Sequence, residues 1–134
     1  MTPSQQAAGL VRKAEEDIHV LTKLCDDAAT TDEIWGFHAP QAVEKLLKAR
    51  LAFQDIVFPF THRLVQLAEL LADNGYVIDE RFEPLLDLTP YAAELRYSPS
   101  TPAIIDKPLD RRTILVLIAD LFRLTRAAIN FVRP

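Results

Sequence analysis

Four polar side chains, His38, Gln41, Lys45 and Lys48, recur at three- and four-residue spacing, which on a helix gathers them within an arc of about 80°. One imidazole and two ammonium groups so placed can hold a phosphate by point-charge attraction and hydrogen bonding. The same stripe also suits a plain solvated face. Val43, Leu46, Leu47 and Leu51 fall at about 80° to 220°, so polar and apolar faces separate cleanly. Arg50 falls at about 120°, inside the apolar arc, where a long cation must be paired, snorkel past the rim of the core, or serve an interface. Farther along, Arg96-Tyr97 offers a guanidinium and a ring together at a turn. That pairing suits phosphate binding with base stacking; an ion pair with Glu94 or a contact to helix carbonyls suits it equally.

Other chemistry finds little support. Cys25 lies on the apolar face of a helical pattern and reads as a core residue. The serines, Ser4, Ser98 and Ser100, are remote in sequence from any histidine, and no strand-to-helix elbow presents one as a nucleophile. Glycine-rich phosphate loops of the GxGxxG or GxxxxGK type do not occur. With one cysteine and only His19, His38 and His62, no zinc site using two or more cysteines can be assembled within the chain. No catalytic residue, metal ligand or cofactor is therefore assigned.

The elements that must position these groups are helical. A chain of 134 residues, 49% hydrophobic and 25% charged with a formal charge of −4, has the makings of a single domain over residues 1–134. Three glycines are few for a sheet with many tight turns, and most of the nine prolines separate periodic segments. The longest apolar run, Ile114 to Ala119, is too short for a membrane span, and the N-terminus lacks the apolar core of a secretory signal, so a cytoplasmic location is expected.

The spacing predicts a first helix over about residues 5–28, capped by Ser4, with Glu15, Glu16, Asp17, Asp26 and Asp27 on its solvated side. A second runs from about residue 33 or 38 to 55, with Pro40 tolerable only in the first turn. Thr61 is placed to cap a third over residues 62–73 that Asn74-Gly75 stops, and His62 could simply complete that cap. Residues 80–96 read as a broken helical segment with Thr89 as a cap before Pro90, and residues 98–108 as an ordered loop. Asp110 caps a last helix to about residue 130, so apolar around its circumference that it is either central or shared with a second chain through Leu117, Leu121 and Leu124. An all-α, up-and-down bundle of four long helices with a short broken segment follows. Charge is uneven: acids dominate residues 14–33, whereas Lys107, Arg111, Arg112, Arg123, Arg126 and Arg133 outnumber Asp110 and Asp120 near the C-terminus. A local phosphate site is compatible with that balance; a broad nucleic-acid coating is not.

Four blocks carry a family likeness: Lys13 to Asp17, Phe37 to Lys48, Phe58 to Leu64 and Leu88 to Tyr97. In this order they resemble HEPN domains, the higher eukaryote and prokaryote nucleotide-binding family, over about residues 8–130. The resemblance implies a helical bundle, commonly a homodimer, often paired with a minimal nucleotidyltransferase as toxin and antitoxin. Many such proteins are metal-independent RNases, and others bind nucleotides without cutting RNA. The nuclease members place an arginine, followed a few residues later by histidine, near the start of the last long helix. This chain has no histidine after His62; Arg12 and His19 have a fitting spacing but lie on the first helix. The Arg-Tyr ending is closer to the other branch, although Ser98 stands before Pro99.

The leading expectation is a module that binds nucleotide or RNA phosphate through His38, Gln41, Lys45, Lys48, His62, Arg96 and Tyr97 and engages a nucleotidyltransferase partner. The alternatives are an RNase with a rebuilt acid and base set, built on His38 or His62 with Arg96, and a purely structural dimerisation protein.

Overall fold

The structure, a computed structural model, describes residues 1–92 and 108–131, with only the backbone of Phe131. The described residues are all-helical: α1 (Pro3–Leu24), α2 (Asp32–Phe53), α3 (Leu64–Asp73), a one-turn α4 (Glu83–Leu86) and α5 (Arg111–Phe131), with 3-10 turns at Glu80–Phe82 and Thr89–Tyr91. The predicted all-α class and the broken segment are found. Arg96, Tyr97 and the proline-rich stretch predicted as a loop lie outside the described residues.

Helix α1 starts two residues earlier than Ser4 would cap it. Thr2 accepts from the Gln5 backbone N–H while the Gln5 side chain accepts from that of Thr2, a reciprocal capping box helped by Pro3 in the first turn. The helix ends at Leu24 because Asp27 offers local turn bonds instead, to Ala29 N and the Thr30 hydroxyl. Thr31 caps α2 through Ile34 N, and Asp32 and Glu33 in its first turn complement the helix dipole. Pro40, expected only near a helix start, sits well inside α2. Lacking an N–H, it cannot bond the Gly36 carbonyl, and it is buried where packing holds the helix together.

The central rod is α2, not the last helix. It packs against α1, α3 and α5 and buries Trp35, Ala39, Val43, Leu46, Leu47 and Leu51 on one broad face, with Ala42, Ala49 and Ala52 widening the buried surface beyond it. Helix α5 buries Ile118, Leu121 and Ile129 but leaves Val116 and Leu124 exposed. Trp35 Nε1 donates to the Leu21 carbonyl at 3.0 Å, and Gln6 lies beside Ala52 at the other end, so α1 and α2 run antiparallel.

Two fixtures join the ends of these rods. The Arg111 guanidinium, nearly buried, donates to the carbonyls of Leu24, Asp27 and Thr30 and to Asp32 Oδ1. It thereby satisfies carbonyls left open after α1 while anchoring α5. Asp32 Oδ2 also accepts from Leu109 N at 2.9 Å. Nearby, the Tyr91 ring rests against Gly36, where a Cβ would lie 2.5 Å from Tyr91 Cδ1 and 3.0 Å from Leu109 Cδ1.

Helix α3 begins at Leu64, after the residues expected to start it. Thr61 accepts from Arg63 N in a local turn, and the Leu64 N–H is satisfied by the Thr89 hydroxyl from the broken segment. That hydroxyl in turn donates to the Leu86 carbonyl, so Thr89 joins two elements rather than capping its own. Asp110 caps α5 as predicted, accepting from Thr113 N and its hydroxyl.

Candidate functional site

The polar stripe of α2 meets α1 on one side and the segment before α3 on the other. Antiparallel packing brings Asp17 of α1 opposite the stripe, where Oδ2 lies 2.6 Å from Lys45 Nζ and Oδ1 lies 3.7 Å from His38 Nδ1. The second distance exceeds hydrogen-bond reach; it becomes an attraction only when the imidazole is protonated. One turn along, Glu44 repeats the arrangement. Its Oε2 lies 2.8 Å from Lys48 Nζ and its Oε1 lies 2.8 Å from His62 Nδ1. Glu44 thus bridges a lysine and a histidine by hydrogen bonds, whereas Asp17 is bonded to Lys45 and only faces His38.

These groups are partly withdrawn from water: side-chain exposure is 13% for Asp17, 15% for Glu44 and 11% for Lys48. Two carboxylates offset two ammoniums, so the formal charges of the lysines are balanced within the stripe. Each ammonium has three N–H donors; with one given to a carboxylate, others remain for an anion. An ionised carboxylate only accepts, so the Glu44 contact calls for a proton on His62 Nδ1. Gln41 lies on the same stripe, half-buried, one turn from both His38 and Lys45.

Aromatic rings border the Glu44 half. Lys48 Nζ lies 5.7 Å from the Phe58 ring centroid and 5.9 Å from that of Phe60, within cation–π range. Phe60 meets the His62 ring edge to face at 5.7 Å. The structure therefore gathers His38, Gln41, Lys45, Lys48 and His62 on one surface.

Sequence reasoning missed Asp17, Glu44, Phe58 and Phe60. Glu44 carried a signal, its four-residue spacing to Lys48; Asp17 carried none apart from its quoted block, because its partners come from another helix. Arg50 stacks its guanidinium 3.7 Å from the Tyr76 ring centroid, which explains how a cation occupies the apolar arc. Its Nε is buried and has no hydrogen-bond partner among the described residues. Of the α5 leucines, Leu121 is packed within the core, Leu117 is half-buried and Leu124 is 44% exposed.

Other concave surfaces have different chemistry. A hollow of about 720 Å³ is lined by Asp79, Glu80, Glu83 and Asp87 with Arg81 and Pro84, an acidic rim that repels phosphate. Among the described residues no group of three or more His, Cys, Asp or Glu side chains is arranged to hold a metal ion. None of their helices is long and apolar enough to cross a membrane.

A helical bundle that turns one polar stripe of its central rod toward histidine, lysine and aromatic groups defines a small helical domain with an open anion-compatible face. The HEPN domain family model matches residues 7–127, and the chain belongs to the HEPN family. Membership points to a nucleotide- or RNA-related role. Comparison with curated proteins finds no match, and neither does comparison with solved structures.

Proposed function

We propose that this protein is a binding module, a single HEPN domain over residues 1–134 that holds nucleotide or RNA phosphate on the α2 stripe. The observation that carries this reading is the placing of Lys45 and His38 beside Asp17 and of Lys48 and His62 on Glu44. The carboxylates orient the cations in advance, and the unused N–H donors receive phosphate oxygens. Gln41 adds a neutral donor, and the Arg96 guanidinium and Tyr97 ring are assigned to the same ligand by their chemistry. The module works in the cytoplasm as a homodimer, with Arg50, Leu117 and Leu124 assigned to interfaces, whereas Leu121, expected there, is taken up by the core of its own chain. Its partner is a minimal nucleotidyltransferase in a toxin and antitoxin pair. The family relationship supports those last assignments.

A nucleotide panel at low salt tests the reading. A bound nucleotide at a hundredfold excess over its Kd raises stability by about 2.7 kcal/mol, read as a thermal shift, and Lys45→Ala combined with Arg96→Ala abolishes it. Absence of any shift across the panel removes the proposal. Pull-down from native cells with mass spectrometry checks for the nucleotidyltransferase.

One observation favours a second reading. The Glu44–His62 pair, 2.8 Å apart, is the arrangement that orients an imidazole as a general base, which suits a metal-independent endoribonuclease. RNA left intact by the purified protein and by its His62→Ala variant alike counts against it.

A further inference from the structure

We infer that Phe60 is the stacking platform for an unpaired nucleobase, so that the ligand of this site is single-stranded nucleic acid rather than duplex or bare phosphate. This inference rests on the phosphate-binding reading and adds the base to it. Phe60 is 94% exposed. Single apolar side chains on a surface are ordinary, but this ring is set among the groups assigned to phosphate. Lys48 Nζ lies 5.9 Å from its centroid, and the His62 ring meets it edge to face at 5.7 Å. A phosphate received by Lys48 places the base of the same or the next nucleotide within reach of the exposed ring.

The backbone presents the ring outward. Asp55, with φ of 57°, turns the chain sharply after α2. The chain then runs through Val57, Phe58, Pro59 and Phe60 before Thr61 forms its turn with Arg63. Phe58 is half-buried against the core and anchors the segment, while Val57 and Phe60 remain outside. Proline between the two phenylalanines removes a donor and fixes φ, which limits the conformations the ring must give up on binding.

Every base has a π face, so an aromatic platform accepts bases with little sequence preference. A duplex keeps its bases paired and stacked internally and offers this surface only phosphates. The charge balance points the same way. Glu44 and Asp17 offset Lys48 and Lys45, so electrostatics alone supply modest attraction and a stacking contribution gives the site its discrimination.

Fluorescence anisotropy with the full chain at low salt, using a short labelled oligoadenylate and an abasic strand of equal length and charge, tests the inference. The wild type binds the base-bearing strand about tenfold more tightly. Phe60→Ala abolishes that preference without changing affinity for the abasic strand, and Phe60→Trp restores it. Unchanged thermal midpoints in both variants show that the fold is intact. Equal affinity of the wild type for the two strands overturns the stacking inference and leaves the phosphate reading standing. Failure to bind either strand overturns both. Retention of the preference by Phe60→Ala also overturns the inference.

Discussion

Glu44 Oε1 lies 2.8 Å from His62 Nδ1, fastening the central helix to the segment that leads into α3. Because the other oxygen of the same carboxylate holds Lys48, one side chain governs both the stability and the charge of this surface. Glu44→Gln keeps the shape and removes the charge. Stability falls by about 1–2 kcal/mol, since charge-assisted hydrogen bonds become neutral ones at a partly buried position. Affinity for nucleotide phosphate rises, because Lys48 and His62 are no longer offset. Urea unfolding and nucleotide titration of the same variant read the two opposite signs.

The Gly36–Tyr91 contact gives a packing prediction. A Cβ at position 36 lies 2.5 Å from a ring carbon and 3.0 Å from Leu109 Cδ1, and neither the ring nor the leucine can yield without disturbing the core. Gly36→Ala costs about 1–3 kcal/mol by overpacking, outweighing the gain in helix propensity of about 1 kcal/mol. Tyr91→Leu, made in the same chain, recovers part of the loss; a double-mutant cycle in urea measures the coupling.

Arg111 predicts a failure of conservative replacement. Its planar fork reaches three carbonyls and a carboxylate at once, which a single ammonium cannot do. Arg111→Lys lowers stability by about 2–4 kcal/mol, measured as a reduced urea midpoint with an unchanged slope.

Two pKa shifts contribute to the pH dependence of stability. Burial, reinforced by the Asp32 carboxylate, raises the Tyr91 phenol above its ordinary value of 10.0. The folded chain therefore holds that proton more tightly than the unfolded chain, and the contribution is complete below the ordinary value and lost as pH rises through the folded one. Tyr91→Phe removes this part of the alkaline decline. Asp110 behaves oppositely: hydrogen bonds from the Thr113 hydroxyl and then its backbone N–H lower it from 3.8. Its contribution is complete above that value and disappears as pH falls through the folded one. Thr113→Val narrows the acid limb, seen by following the thermal midpoint against pH.

The α2 stripe was legible because helical periodicity alone puts His38, Gln41, Lys45 and Lys48 on one face, and the family was legible because its blocks are contiguous. Arg50 was legible as a problem without its solution, since Tyr76 comes from a distant part of the chain. Asp17 looked like any other acid on a solvated face until α1 and α2 packed in register. Local rules misplaced the start of α1, where Ser4 competes with a reciprocal Thr2–Gln5 pair. Pro40 was misread because tertiary packing overrode its preference for a first turn. The apolar excess of α5 suggested a central helix, yet α2, studded with alanines that permit close approach, took the centre.

Tyr91 and Leu109 both rest against Gly36, so the stretch joining them departs from and returns to a single point on α2. Position 36 thereby holds together two residues that lie far apart in sequence. Because both meet a position with no side chain, one added carbon loosens the two described parts of the chain together, which makes Gly36 a keystone of the assembly.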